Sequence, residues 1–162
     1  MLSYASHITF NSLSQYQRYG ERARAKGVSC GLRVNPEYST VDTDLYNPCS
    51  PQSRLGVCHG VLTDWPEGID GLHFHSLCES KPSDLYVTLQ AVEEKFGHFF
   101  DRLKWINLGG GHLVTHKDYN EDVLIEILRD FKARHPHLRV ILEPGSAFLW
   151  DTGVLVSRVE DV

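Results

Sequence analysis

The chain has 162 residues, 41% of them hydrophobic and 23% charged, with a formal net charge of −5. These values suit one globular core and exclude a disordered or fibrous composition. Mild acidity without a Lys/Arg cluster gives no support for a nucleic-acid face, and no apolar run approaches the ~20 residues of a membrane span.

The opening stretch MLSYASHITFNSL has no charged segment ahead of an apolar one, so no secretory signal is read. His7 to Ser12 then predicts a short strand. The segment Ser12 to Gly27 predicts an amphipathic helix, with Asn11 or Ser12 as its cap and Gly27 as its stop. A second strand is expected from Ser29 to Pro36, halted by Asn35-Pro36. The polar stretch that follows, through Val57, is long enough to suggest a functional or mobile loop. A third strand is predicted over Ile69 to Leu77 and a helix over Ser83 to Phe100, with Leu85, Leu89, Val92 and Phe96 on one face. Leu103 to Gly109 predicts a fourth strand. Asn120 to Pro136 predicts a helix with an Asn cap and an acidic first turn, and Leu138 to Gly145 a fifth strand. The terminal stretch FLWDTGVLVSRVEDV reads as the start of a further sheet element.

Near-continuous apolar strands alternating with helices indicate an α/β fold with parallel strands covered by helices. Polar residues or glycines follow each strand at its carboxyl end, which is the face where such folds bind ligands. The four cysteines (Cys30, Cys49, Cys58 and Cys78) follow neither CxxC nor zinc-ribbon spacing. Reduced thiols in the cytoplasm are therefore expected.

Four stretches at those strand ends carry chemistry. The run Gly109-Gly110-Gly111-His112 is either a tight turn or a cradle of bare N–H groups for phosphate; it is neither GxGxxG nor a P-loop. His73 and His75 alternate along a strand and so share a face. They are candidates for a metal pair, joined by His112 or His116 in a barrel hydrolase, or for stacking on a flat heterocycle. Glu143, held before Pro144-Gly145, is placed to bond a ring nitrogen, since a partly buried carboxylate is costly without a purpose. Arg33 and Arg54 suit an anionic or ring partner, or a surface ion pair.

Taken in order, the stretches TFNS, LRVNP, SRLG, GLHFHSLCE, INLGGGH and LEPG resemble the alanine-racemase-like pyridoxal-phosphate decarboxylases. The wording YNPCSPQSRLG, GLHFHSLCES and GGGHLVT is most similar to the carboxynorspermidine branch of that family, which works in polyamine synthesis; diaminopimelate and other basic amino-acid decarboxylases are the neighbouring branches. The resemblance implies a partial (β/α)8 TIM-type barrel of about five parallel β/α units. Residues 1–148 would form the cofactor-binding barrel portion and 149–162 the start of a transition to a carboxy-terminal β-domain.

It implies pyridoxal 5′-phosphate as cofactor, no metal, and a carboxylated polyamine as substrate. His75 would stack on the pyridine ring and Glu143 would bond its nitrogen. Gly109, Gly110, Gly111 and Gly145 would hold the phosphate, with Arg33 near the ring. His73, Glu79 and Arg54 would lie around the substrate. The family is implied to be homodimeric, its carboxy-terminal domain bringing a Cys and an Asp to the partner's site. Two departures stand out. Ser146 occupies the place where ornithine and diaminopimelate decarboxylases carry Arg after EPG. None of Lys26, Lys81, Lys95, Lys104, Lys117 and Lys132 suits the family's Schiff-base lysine. The chain is accordingly expected to be the centre of such an enzyme, lacking the first barrel strands and inactive on its own, with poor solubility from open strand edges.

Overall fold

A computed structural model describes residues 2–41 and 43–161; Met1, Asp42 and Val162, which fall within the stretches read above, lie outside the described residues. The chain alternates as the apolar pattern requires. Strand β1 (His7–Phe10) leads to helix α1 (Leu13–Arg24), then β2 (Ser29–Asn35), the two-residue β3 (Val57–Cys58) and β4 (Gly71–His73). Helix α2 (Pro82–Phe96), β5 (Trp105–Asn107), α3 (Glu121–Arg134), β6 (Arg139–Ile141) and the short α4 (Gly145–Leu149) complete it.

Local chemistry sets the helix starts. The Ser12 hydroxyl accepts the Gln15 N–H at 3.2 Å, and the Asn120 side chain accepts the Val123 N–H at 3.2 Å. Pro82 opens α2, where a missing N–H costs nothing, and the Asp84 carboxylate accepts the Lys81 N–H at 2.7 Å.

Every strand pairing is parallel, in the order β1-β2-β4-β5-β6, with β3 added beside the end of β2. This is the five-strand parallel arrangement read from the sequence. The strands themselves are shorter than expected. Pairing in β4 stops at His73 and in β6 at Ile141; beyond these ends the Phe74 N–H still donates to the Asn107 carbonyl and the Glu143 N–H donates to the Gly109 carbonyl.

The register sorts side chains into two faces. One face and the helices enclose a core in which Leu32, Leu72, Phe74, Leu85, Phe96, Ile106 and Phe131 are fully buried, each contributing about 1.5–3 kcal/mol. The other face is built in layers, as inside a barrel. Gly31, Gly71 and Trp105 are register partners. A Cβ on either glycine would strike the indole, so Trp105 lies across both strands. Two residues further along, on the same face, Arg33, His73 and Asn107 form the next register row.

The expected sheet element at the end of the chain is not formed among the described residues. Phe148 and Leu149 belong to α4, and Val154, Leu155 and Val156 stand exposed outside regular structure. A strand requires a hydrogen-bonded neighbour, and no described strand lies beside this stretch. The boundary read at residue 148 falls inside α4.

Candidate functional site

The carboxyl ends of β2, β4, β5 and β6 converge on one polar constellation. Arg33 ends its side chain against β4, donating from Nη2 to the His75 carbonyl at 3.1 Å. Burial pushes its guanidinium below the ordinary arginine range. The rings of His73 and His75 lie 6.2 Å apart. Ligand atoms of His73, His75 and Glu143 all fall within 4.8 Å of one another. Both ring nitrogens of His73 are buried without a hydrogen-bond partner. Burial, reinforced by Arg33 and His75 and opposed by Glu143, pushes its titration down to about 4, so the ring is neutral near pH 7. Burial also lowers His75, with Arg33 adding to the effect. Its Nδ1 accepts a long 3.4 Å bond from the Gly110 N–H, which puts the proton of the neutral ring on Nε2.

The triple glycine has an explanation within the chain. Gly109 and Gly111 adopt φ of +71° and +93°, a region L side chains rarely enter. Cβ atoms on Gly109, Gly110 and Gly111 would strike the carbonyls of Phe74, Glu143 and Leu77 respectively. The neighbouring strand ends therefore approach the bare backbone from both sides. Gly145, by contrast, has open space where its Cβ would be and a 2.7 Å bond from its N–H to the Glu143 carbonyl.

Glu143 is held by a residue that the sequence reading passed over. Asn107, 6% exposed, donates from Nδ2 to Glu143 Oε1 at 2.9 Å and accepts the Gly109 N–H on Oδ1 at 2.9 Å. Its only signal in the sequence is a polar side chain closing a buried strand.

Arg54 and Glu79 do not join the His73–His75–Glu143 cluster. Both are exposed on loops, Glu79 at φ +48°. Tyr46 is shared by three cavities: one of about 350 Å³ containing Arg33 and His75, one of about 390 Å³ containing Arg54, and one of about 430 Å³ containing Glu79. Arg54 and Glu79 thus stand on the rim around the central residues. His112 and His116 are also outside the cluster. His112 is fully buried with Nε2 unpartnered, and His116 lies 3.8 Å from Asp118.

Three of the six lysines are committed elsewhere. Lys95 bonds the Pro36 carbonyl and Lys132 the carbonyls of Pro136 and Leu138, while Lys104 pairs with Asp70 at the opposite end of the sheet. Lys26 lines a groove beside α1, Lys81 precedes α2 and Lys117 is exposed.

No family model matches the chain. The chain is a parallel β/α segment with its polar groups gathered at the strands' carboxyl ends, the ligand-binding face of such folds. Over 93% of its length it superimposes on the crystal structure of carboxynorspermidine decarboxylase from Campylobacter jejuni complexed with norspermidine, with a TM-score of 0.82, 37% identity and 38% of that chain covered. It is 53% identical over 159 residues to a carboxyaminopropylagmatine decarboxylase of Synechocystis, covering 98% of this chain and 41% of that protein. A carboxynorspermidine/carboxyspermidine decarboxylase of Campylobacter jejuni is 40% identical over 99% of this chain and 41% of its own length. The chain is homologous to the carboxynorspermidine/carboxyspermidine group of decarboxylases, and it spans about two fifths of the length of the relatives it matches.

Proposed function

We propose that the protein carrying this chain is a pyridoxal-phosphate-dependent decarboxylase of a carboxylated polyamine. The observation that carries this reading is the convergence of Arg33, His73, His75, Asn107 and Glu143 at one end of a parallel sheet. The chain's similarity to decarboxylases of such substrates supports it.

The residues fit the cofactor. Two buried nitrogens of a neutral His73 lack partners, and the Glu143 Oε1 is fixed by Asn107 while its other oxygen has no side-chain partner among the hydrogen bonds described. When bound, pyridoxal phosphate supplies an electron sink for the pair left behind by loss of CO2. Glu143 would accept a hydrogen bond from the pyridinium N–H and so keep the ring nitrogen protonated. The neutral His75 ring would stack against the heterocycle, and the glycine run Gly109 to Gly111, with Gly145, would lie against the phosphate. Arg33 would place positive charge close to the ring, and His73 would offer a donor or acceptor to the substrate. Arg54 and Glu79 on the rim would contact the polyamine arm. The same reading carries a cytoplasmic homodimer.

His73, His75 and Glu143 also form a two-histidine, one-carboxylate set that could hold a divalent metal, as in a barrel hydrolase. The Arg33 charge felt by both rings opposes a dication there.

The test is CO2 release by the whole protein that carries this chain, purified and supplied with pyridoxal phosphate, from carboxyaminopropylagmatine, carboxynorspermidine, carboxyspermidine and meso-diaminopimelate. Turnover of one or more carboxylated polyamines is expected, with carboxyaminopropylagmatine first because of the 53%-identical relative. Turnover of diaminopimelate alone would overturn the substrate class.

A further inference from the structure

We infer that Asn107 is the positioning residue that locks the cofactor's two ends into one rigid frame, tying the carboxylate for the ring nitrogen to the glycine run for the phosphate. The inference rests on the proposed cofactor site and adds a residue to it.

Asn107 lies on the central strand of the site, with β4 on one side and β6 on the other, and its side chain is nearly sealed from solvent. Its two polar ends reach different partners, each at 2.9 Å: the amide nitrogen to Glu143 Oε1, the amide oxygen to the Gly109 N–H. Chemistry fixes that orientation. A backbone N–H can only be met by the oxygen, and a carboxylate oxygen is best met by the NH2 group. The main chain repeats the link, since the Glu143 N–H donates to the Gly109 carbonyl at 2.8 Å. Glu143 and Gly109 thus form a closed unit that Asn107 completes from below.

No other residue type of this size serves both partners. Aspartate would keep the bond to Gly109 but set a second negative charge against Glu143. Leucine would fill the space and satisfy neither, leaving a buried N–H orphaned. Binding the amide NH2 through Oε1 also directs Glu143: one oxygen is spent inside the frame and the other is left for the ring nitrogen.

The experiment uses the purified protein and its Asn107→Leu, Asn107→Asp, Glu143→Gln and Asn107→Leu/Glu143→Gln variants. Two quantities are read: exchange of the Gly109 amide hydrogen without cofactor, and the dissociation constant for pyridoxal phosphate by equilibrium dialysis. Asn107→Leu is expected to speed Gly109 exchange and to weaken cofactor binding roughly 10- to 100-fold. Asn107→Asp is expected to keep Gly109 protected yet weaken the cofactor similarly. In the Glu143→Gln background, Asn107→Leu should cost clearly less than it does alone, because the two residues act as a unit. A merely structural role would make the losses additive, and additive losses overturn the inference. So does an Asn107→Asp protein that binds the cofactor as the parent does. Either result leaves the functional reading standing if the parent binds pyridoxal phosphate. A parent protein that does not bind it overturns the functional reading, and the inference falls with it.

Discussion

The two ends of the same sheet treat their buried polar groups in opposite ways. At the amino end, the Trp105 Nε1 donates to the Ser29 hydroxyl at 2.9 Å, that hydroxyl donates to Asp70 Oδ2 at 2.9 Å, and Lys104 pairs with Asp70 at 2.8 Å. Each of these side chains has a partner within the chain. At or beyond the carboxyl ends lie all five buried side-chain polar atoms found unpartnered among the described residues: Thr40 Oγ1, both His73 nitrogens, Ser76 Oγ and His112 Nε2. Orphaned polar atoms of this kind each cost about 1–3 kcal/mol. The amino end is finished as a protein interior. The carboxyl end has donors and acceptors to spare, as a ligand-binding face does.

Four substitutions test that contrast, from the largest expected effect to the smallest. Trp105→Ala removes the indole that roofs Gly31 and Gly71 and should lower stability by about 3–5 kcal/mol, read from urea unfolding. A loss below about 1 kcal/mol would show that the amino-end layer does not hold the sheet together.

Acid should act on the carboxyl end. His73 and His112 both titrate near 4 in the folded chain, against 6.5 when exposed, with burial the leading cause in each. Between those values the unfolded chain binds protons that the native chain refuses. Stability conferred by the neutral rings is therefore complete above about pH 6.5 and falls as the pH is lowered toward 4, by up to about 3 kcal/mol per ring. Urea midpoints measured at pH 7, 5.5 and 4.5 should trace that decline, and His112→Gln should flatten it.

His75→Ala should leave the urea midpoint nearly unchanged while lowering decarboxylase turnover of the whole protein on the order of 100-fold, since the ring's one hydrogen-bond partner among the described residues is the long Gly110 contact. Equal losses of stability and turnover would erase the distinction between the two ends. The smallest effect belongs to Lys104→Ala. Its side chain is 76% exposed, so removing the Asp70 pair should cost no more than about 1 kcal/mol.

Much of this arrangement was written in the periodicity. The five main strands follow from their apolar runs, and His73, His75, Glu143 and the glycines announce themselves as polar or flexible residues where a strand should end. What stayed hidden depends on contacts remote in sequence. The pair Val57–Cys58 has no strand signature of its own and extends the sheet because it meets Val34 and Asn35. Asn107 reads as one more residue in WINLGGG; its role exists only because Glu143, 36 positions later, folds against it. Arg54 and Glu79 failed to reach the cluster because loop conformation, which no alternation pattern encodes, places them on the rim. The apolar residues near the end of the chain resembled a strand, but a strand is made by its neighbour.

The central claim is that the unpartnered groups at the carboxyl end form a cofactor cup. Thermal melting of the purified protein with and without saturating pyridoxal phosphate, and separately with Zn2+, tests it most directly. At ligand about 100 times its dissociation constant, the account predicts stabilisation of about 2.7 kcal/mol by pyridoxal phosphate, clearly reduced in Glu143→Gln, and none by Zn2+. No shift with pyridoxal phosphate, or a shift with Zn2+ alone, would contradict it.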